Sequence, residues 1–180
     1  MAALTFDDGP GTHTQEVLDA LAAAHAPATF FVLGSSAAGS KGMIAKIKAA
    51  GHEVENHTWS HPDLTKVSAA EFRSQVSRTS AVIGGTRFLR PPYGSSNASV
   101  KAQAAAMGIR LAFWTVDTLD WQHQDLDSIL GYVKSGTRPG AIILMHDGGQ
   151  NRLQTVAAIP VVVNWLFAQG YSLTIVDQIL

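Results

Sequence analysis

The chain has 180 residues, of which 46% are apolar and 15% charged, with a formal net charge of -1. That length suits one domain with a full core, here residues 1–180, and the composition is that of a compact rather than a disordered protein. The near-neutral charge gives no reason to expect nucleic acid or an anionic membrane surface as partner; cysteine is absent, excluding disulfides and thiolate chemistry, and no apolar run approaches the roughly 18 residues a spanning helix needs.

The first apolar run, residues 2–6, reads as a strand that stops at Asp7-Asp8-Gly9-Pro10-Gly11. Successive strand side chains point to opposite faces, so the two carboxylates serve one site only if the backbone kinks after Phe6. Gly9, Pro10 and Gly11 supply that freedom. Residues 14–24 carry Val17, Leu18 and Leu21 at helical spacing. Residues 28–33 read as a buried strand ended by Gly34, residues 43–50 as a helix stopped by Gly51, and residues 53–56 as a short strand.

Ser68 and Glu71 form a capping-box pattern opening a helix over 68–83, with an apolar stripe through Phe72, Val76 and Ile83. A strand over 87–89, a helix over 99–107 and a strand over 109–116 follow. The remaining pattern predicts a helix over 126–133, an apolar strand over 141–145, a helix over 155–168 that Pro160 kinks or restarts, and a strand over 172–176.

Seven strands alternating with helices argue for parallel βα units, either doubly wound or in a barrel. The polar residues favour the barrel, because Asp7 and Asp8, His57 and His61, Arg90, Asp117 and Asp120, and His146 all follow strands. In a barrel those carboxyl ends meet on one rim, whereas distant strands of an open sheet do not. The expected fold is a distorted (β/α) barrel of about seven parallel strands, with a gap between the first and last strands to admit a long substrate.

His57 and His61 are four residues apart, and with one aspartate from the first strand they make a His, His, Asp set that suits a divalent ion such as zinc and leaves room for water and substrate. The second aspartate is then free to accept a proton from attacking water. Arg90 can hold a carboxylate through its fork of donors. His146 leaves the apolar strand at the rim, where it can protonate a leaving group, oriented by Asp117 or Asp120. Trp121 can wall a sugar or acyl group.

Five stretches, TFDDG, HTWSH, RPPYG, DTLDW and LMHD, resemble the five ordered motifs of the polysaccharide deacetylase family, carbohydrate esterases with the NodB homology domain. The resemblance covers nearly the whole chain. It implies a distorted (β/α) barrel that removes acetyl groups from a polysaccharide or oligosaccharide with a divalent metal, usually zinc, with cobalt or nickel as alternatives. By that pattern Asp7 is the general base, fixed by Arg90, and Asp8, His57 and His61 hold the metal. The Tyr93 backbone N–H helps to stabilise the oxyanion, His146 is the general acid with Asp120 as its orienting partner, and Leu144 and Trp121 flank the acetyl methyl.

The expected substrates are N-acetylglucosamine polymers or oligomers, from chitin or peptidoglycan, with O-deacetylation of acetylxylan as the rival. A catalytically silent glycan-binding module is the alternative from another class. The substrate class implies a secreted or cell-surface protein whose signal peptide is absent from this chain; a monomer is expected, and no carbohydrate-binding module after the last strand. The stretch 34–42 lacks a proline often found before the second helix, and His13, His25, His52 and His123 match no motif and read as surface or loop histidines, with His123 alone near enough to touch substrate.

Overall fold

The structure, a computed structural model, describes residues 1–122 and 125–180. The strands are β1 (Ala2–Asp7), β2 (Ala28–Val32), β3 (Glu53–Asn56), β4 (Phe88–Leu89), β5 (Arg110–Leu111), β6 (Val116–Asp117), β7 (Ala141–His146) and β8 (Leu173–Thr174). The helices are α1 (Thr14–Ala23), α2 (Gly34–Gly39), α3 (Lys41–Ala49), α4 (Ala69–Ile83), α5 (Ala98–Ala106), α6 (Leu126–Gly136) and α7 (Leu153–Ala168).

All strand pairs are parallel, in the order β5-β4-β3-β2-β1-β7-β6, with β8 pairing the start of β1. The result is the expected curled, distorted (β/α) barrel. Two expectations are corrected. The single strand expected over 109–116 is two strands, β5 and β6, at opposite ends of the sheet, so the described strands number eight rather than seven. The seam of the curl therefore lies between β5 and β6, bridged by residues 112–115, and not between the first and last strands, which are hydrogen-bonded neighbours.

Alternation along β1 divides its duties. Leu4 and Phe6 face the helices and join the largest apolar cluster with Leu21 of α1 and Ile159, Val162 and Leu166 of α7. Each fully buried Leu or Phe of this kind contributes about 1.5–3 kcal/mol. Ala3 faces the other way and meets Phe31, Phe88, Ala112, Ile142 and Val176 inside the curl. Thr5 and Asp7 share that inner face by the two-residue period, and the register sets Asp7 beside His146 and Thr5 beside Leu144. The sheet itself therefore brings the first and fifth motifs together.

Among the helices, α4 has Ser68 accepting from the Glu71 N–H at 3.1 Å and ends on left-handed Gly84, as the sequence pattern predicts. Helix α7 runs continuously through Pro160 rather than breaking there. Gly34 does not end an element but begins α2, a helix missing from the sequence reading because Gly-Ser-Ser-Ala-Ala-Gly has weak helical propensity. Packing against α4 holds it instead.

The loops after β1 and β7 touch backbone to backbone. The Asp147 and Gly148 N–H groups donate to the Asp7 carbonyl at 3.2 and 3.3 Å, and a Cβ on Gly148 would fall on the Asp8 carbonyl oxygen. A Cβ on Gly39 would meet nothing. Gly148→Ala is accordingly expected to lose about 1–3 kcal/mol by overpacking, while Gly39→Ala is neutral or gains up to about 1 kcal/mol of helix propensity. Urea unfolding midpoints decide this; equal midpoints for the two variants would remove the close-contact argument.

Candidate active site

Asp7 ends β1 pointing inward and is 2% exposed. The kink expected after Phe6 lies one step later: Asp8 itself has φ 72°, a left-handed turn that swings its side chain back to the face Asp7 occupies. His57 follows β3, and His61 follows a loop with Thr58 at φ 71° and His61 at φ 62°.

These turns gather the donors. His57 Nε2 and His61 Nε2 each lie 3.5 Å from Asp8 Oδ1, and one ligand atom from each of the three residues falls within 4.8 Å of the others. Tetrahedral ligands about 2.1 Å from a zinc ion are themselves about 3.4 Å apart, so the spacing fits a divalent ion. Two further observations agree with that fit. Asp8 Oδ1 is buried without a hydrogen-bond partner among the described residues. His57 is set to donate from Nδ1 to the Arg90 carbonyl at 2.8 Å, which leaves the Nε2 lone pair turned to the donor cluster. Burial pushes the His57 imidazole down to about 3 against the opposing pull of Asp8, so the ring is neutral, as a ligand must be.

Asp7 also approaches His57, its Oδ2 lying 3.6 Å from Nε2. Its other oxygen separates it from Asp8, because Oδ1 accepts from Arg90 Nη1 at 2.7 Å. The same Nη1 donates to Thr5 Oγ1 at 2.8 Å. Arg90 thus holds the carboxylate through one nitrogen rather than the two-pronged fork expected, with its guanidinium lying 3.9 Å over the Phe31 ring. Burial raises the Asp7 carboxyl above its ordinary value despite the lowering influence of Arg90 and His146. A carboxylate so raised is a stronger base while still anchored.

On the opposite wall, Asp120 and not Asp117 meets His146. Asp120 Oδ1 is 2.7 Å from His146 Nδ1, and Oδ2 accepts from the His146 N–H at 2.9 Å. Asp117 instead accepts from the Leu119 N–H at 2.9 Å, closing its own turn. Burial lowers the His146 ring, but the hydrogen bond and charge of Asp120, with Asp7 and Asp8, outweigh it and raise it above the ordinary histidine value. The same contact holds Asp120 below its ordinary value although burial alone raises it.

One cleft of about 460 Å³ is lined by Asp7, Asp8, His57, His61, Tyr93, Trp114, Trp121, Leu144 and His146, so it collects every candidate except the two buried supports, Arg90 and Asp120. Tyr93 stands on its rim, 69% exposed, at φ 60° and edge-on to His61. Trp121 is half exposed and faces the cleft with Leu144. A second hollow, lined by Arg73, Gln103 and Met107 among others, gathers no such set.

Several supports are absent from the sequence reading. Thr155 at the start of α7 donates to Asp120 Oδ2 at 2.7 Å. Asp147, the last residue of LMHD, is buried beneath Gly9 and accepts from Thr14 Oγ1 at 2.5 Å. Burial pushes its carboxyl up to about 7, and Asp7 and Asp8 push the same way. Asp147 is marked in the sequence as the end of LMHD, whereas Thr155 lies in no motif and carries no such mark. Among the unmatched histidines, His52 is more than a loop residue: half-buried, its Nδ1 accepts from the Ala28 N–H at 3.2 Å, in keeping with the lowering that burial imposes on it. His13 precedes α1 beside Glu16, His25 sits in the turn after α1, and His123 lies outside the described residues.

This arrangement is that of a metal-assisted hydrolase, and the chain belongs to the polysaccharide deacetylase family: the family model Polysaccharide deacetylase matches residues 1–112. A chitooligosaccharide deacetylase from Bradyrhizobium sp. (strain ANU 289) is 37% identical over 98% of this chain and 89% of its own length. The peptidoglycan-N-acetylglucosamine deacetylase PgdA from Listeria monocytogenes is 39% identical over 98% of this chain, which spans only 38% of that protein. In solved structures the fold recurs, with a TM-score of 0.92 at 30% identity, in BA3943, a CE4 family pseudoenzyme from Bacillus anthracis that is covered to 64% while 99% of this chain is matched. The scaffold alone thus does not make an enzyme. The deacetylase relatives support an enzyme here, and so do the polar groups gathered in the cleft.

The Asp120–His146 contact sets a pH expectation. Asp120 raises the pH up to which the His146 ring stays protonated. Asp120→Asn removes that charge, so the alkaline limb of the kcat profile moves to lower pH and kcat falls. An alkaline limb left in place would show that another group sets it.

Proposed function

We propose that the protein hydrolyses the acetamide of N-acetylglucosamine polymers or oligomers, from chitin or peptidoglycan glycan, releasing acetate and a free amine. The observation that carries this reading is the placement of a buried, arginine-held carboxylate and a carboxylate-held histidine around one His, His, Asp donor set. The deacetylase relatives support the choice of an N-acetyl sugar.

Asp8, His57 and His61 would hold the ion, and the two nitrogens and one oxygen they offer suit zinc, with cobalt or nickel as alternatives. When bound, such an ion lowers the pKa of a water and polarises a carbonyl oxygen. Asp7 takes the proton from the attacking water as its oxygen bonds to the acetamide carbon, with Arg90 keeping the carboxylate in place. The Tyr93 N–H donates to the oxygen that becomes negative. His146 delivers a proton to the amine nitrogen as the C–N bond breaks, and Asp120 stabilises the imidazolium it starts from. Leu144 and Trp121 flank the methyl group. Because cell-wall polymers lie outside the membrane, the enzyme is assigned to the cell exterior or surface, where a monomer suffices for a cleft that one chain forms.

Acetate release measured side by side on chitin oligomers, peptidoglycan and acetylxylan tests the substrate class. Turnover of the N-acetyl substrates is expected, and turnover confined to acetylxylan would overturn it. A chelator is expected to abolish activity and added zinc or cobalt to restore it, whereas full activity in chelator would remove the metal from the reaction. Asp7→Asn is expected to keep zinc while kcat falls about 10²–10⁴-fold, and His57→Ala to lose the zinc itself. Loss of zinc in Asp7→Asn would reverse the roles of the two aspartates.

A further inference from the structure

The loop that carries His61 is held from outside the cleft. Gln75 lies on α4, in the apolar stripe between Phe72 and Thr79, and is 4% exposed. Its Oε1 accepts from the Trp59 N–H at 2.8 Å and the Ser60 N–H at 2.9 Å. Its Nε2 donates to Ser60 Oγ at 2.9 Å and to Glu71 Oε1 at 2.8 Å. Both acceptor sites and both donors of the amide are therefore used, and two loop N–H groups facing one atom require that atom to be the oxygen.

The two residues it grips, Trp59 and Ser60, lie between Thr58 and His61, both of which have positive φ. Such conformations cost on the order of 1–3 kcal/mol each and persist only where the surroundings over-determine them, above all for a β-branched residue such as threonine. The loop has other ties, one of them at the ligand itself, where the His61 N–H donates to Thr58 Oγ1 at 3.1 Å. The Thr58 N–H donates to Asn56 Oδ1 at 2.8 Å, and the first N–H groups of α2, those of Gly34 and Ser35, donate to the Thr58 and Trp59 carbonyls at 2.9 and 3.0 Å. The Trp59 ring is set between Gly34 and the Arg78 guanidinium, 3.8 Å away. His57 is fixed separately through Arg90. From α4, Gln75 holds the N–H groups of both residues just before His61, while Ser35 of α2 holds the Trp59 carbonyl.

We propose that Gln75 is a positioning residue for the metal site: by holding the Trp59 and Ser60 backbone it fixes His61 Nε2 relative to Asp8 and His57, so that the donor set is formed before the ion arrives. This rests on Asp8, His57 and His61 being the ligands. A residue one step removed from a ligand commonly changes metal affinity 10–100-fold when lost.

The test is the affinity of the chain for Zn²⁺ alone, by competition with a chromophoric chelator, with thermal unfolding of the metal-free protein measured alongside. Gln75→Leu keeps the volume and removes all four hydrogen bonds; its zinc Kd is expected to rise about 10–100-fold. Kcat at saturating zinc should return toward the wild-type value while the zinc needed for half-maximal activity rises. The paired exchange Glu71→Gln with Gln75→Glu keeps an oxygen facing the loop and leaves an amide at position 71 to donate to it, and its Kd is expected to stay within about threefold of wild type. Should Gln75→Leu not fold, Gln75→Asn, too short by one methylene to reach the loop, takes its place with the same expectation. A Leu or Asn variant that binds zinc like wild type overturns the proposal, as does the paired exchange weakened to the same extent as Leu. If wild type holds zinc but His57→Ala holds it equally well, the ligand set itself is wrong, an outcome distinct from either.

Discussion

Adjacent residues of a strand cannot face the same way, yet this cleft uses Asp7 and Asp8 together. The left-handed backbone at Asp8 resolves that conflict, and much of the rest of the molecule is arranged around keeping it. The Gly9 carbonyl accepts from the Leu33 N–H, Asp147 fills the space under Gly9, and Gly148 lies directly on the Asp8 carbonyl. Among the described residues, five of the six non-glycine positions with positive φ are Asp8, Thr58, His61, Tyr93 and Leu119, four of them lining the cleft or leading to a ligand and the last adjoining Asp120. Strain of this kind is on the order of 1–3 kcal/mol at each position. It is affordable because the inner and outer faces of β1 are both fully packed.

Charge is handled by the same economy of neighbours. Three carboxyl groups, Asp7, Asp8 and Asp147, stand close together at the end of β1 and β7. Arg90 answers the first, the donor geometry presents the second to a cation, and burial shifts the third toward neutrality. On the far wall the sign is reversed, since Asp120 favours the charged form of His146. A carboxyl raised on one wall and an imidazole kept protonated to higher pH on the other, both lining the cleft of the donor set, suit the separate tasks proposed for them in one hydrolysis.

How much of this could be read from the chain follows from the range of each interaction. The parallel βα alternation and the polar residues at strand ends are local patterns, and the motifs around Asp7, His57, Arg90, Asp120 and His146 mark the groups the fold then gathers. The split of residues 109–116 was not legible, because the run IRLAFWTV has the apolar content of one strand while its middle crosses the seam of the barrel. Helix α2 is held by packing rather than propensity, so its sequence conceals it. Gln75 and Thr155 look like ordinary polar residues at the edge of apolar stripes. Their partners are 15 and 35 residues away, and only the folded chain shows what they hold.

The central claim is that two imidazoles and one carboxylate, preformed at the ends of β1 and β3, receive a divalent ion. X-ray absorption on the zinc-loaded protein tests it most directly. Two imidazole nitrogens at about 2.0–2.1 Å with oxygen completing the shell are expected, and one imidazole fewer in His61→Ala. A shell with a third imidazole, or one unchanged when His61 is removed, would contradict it.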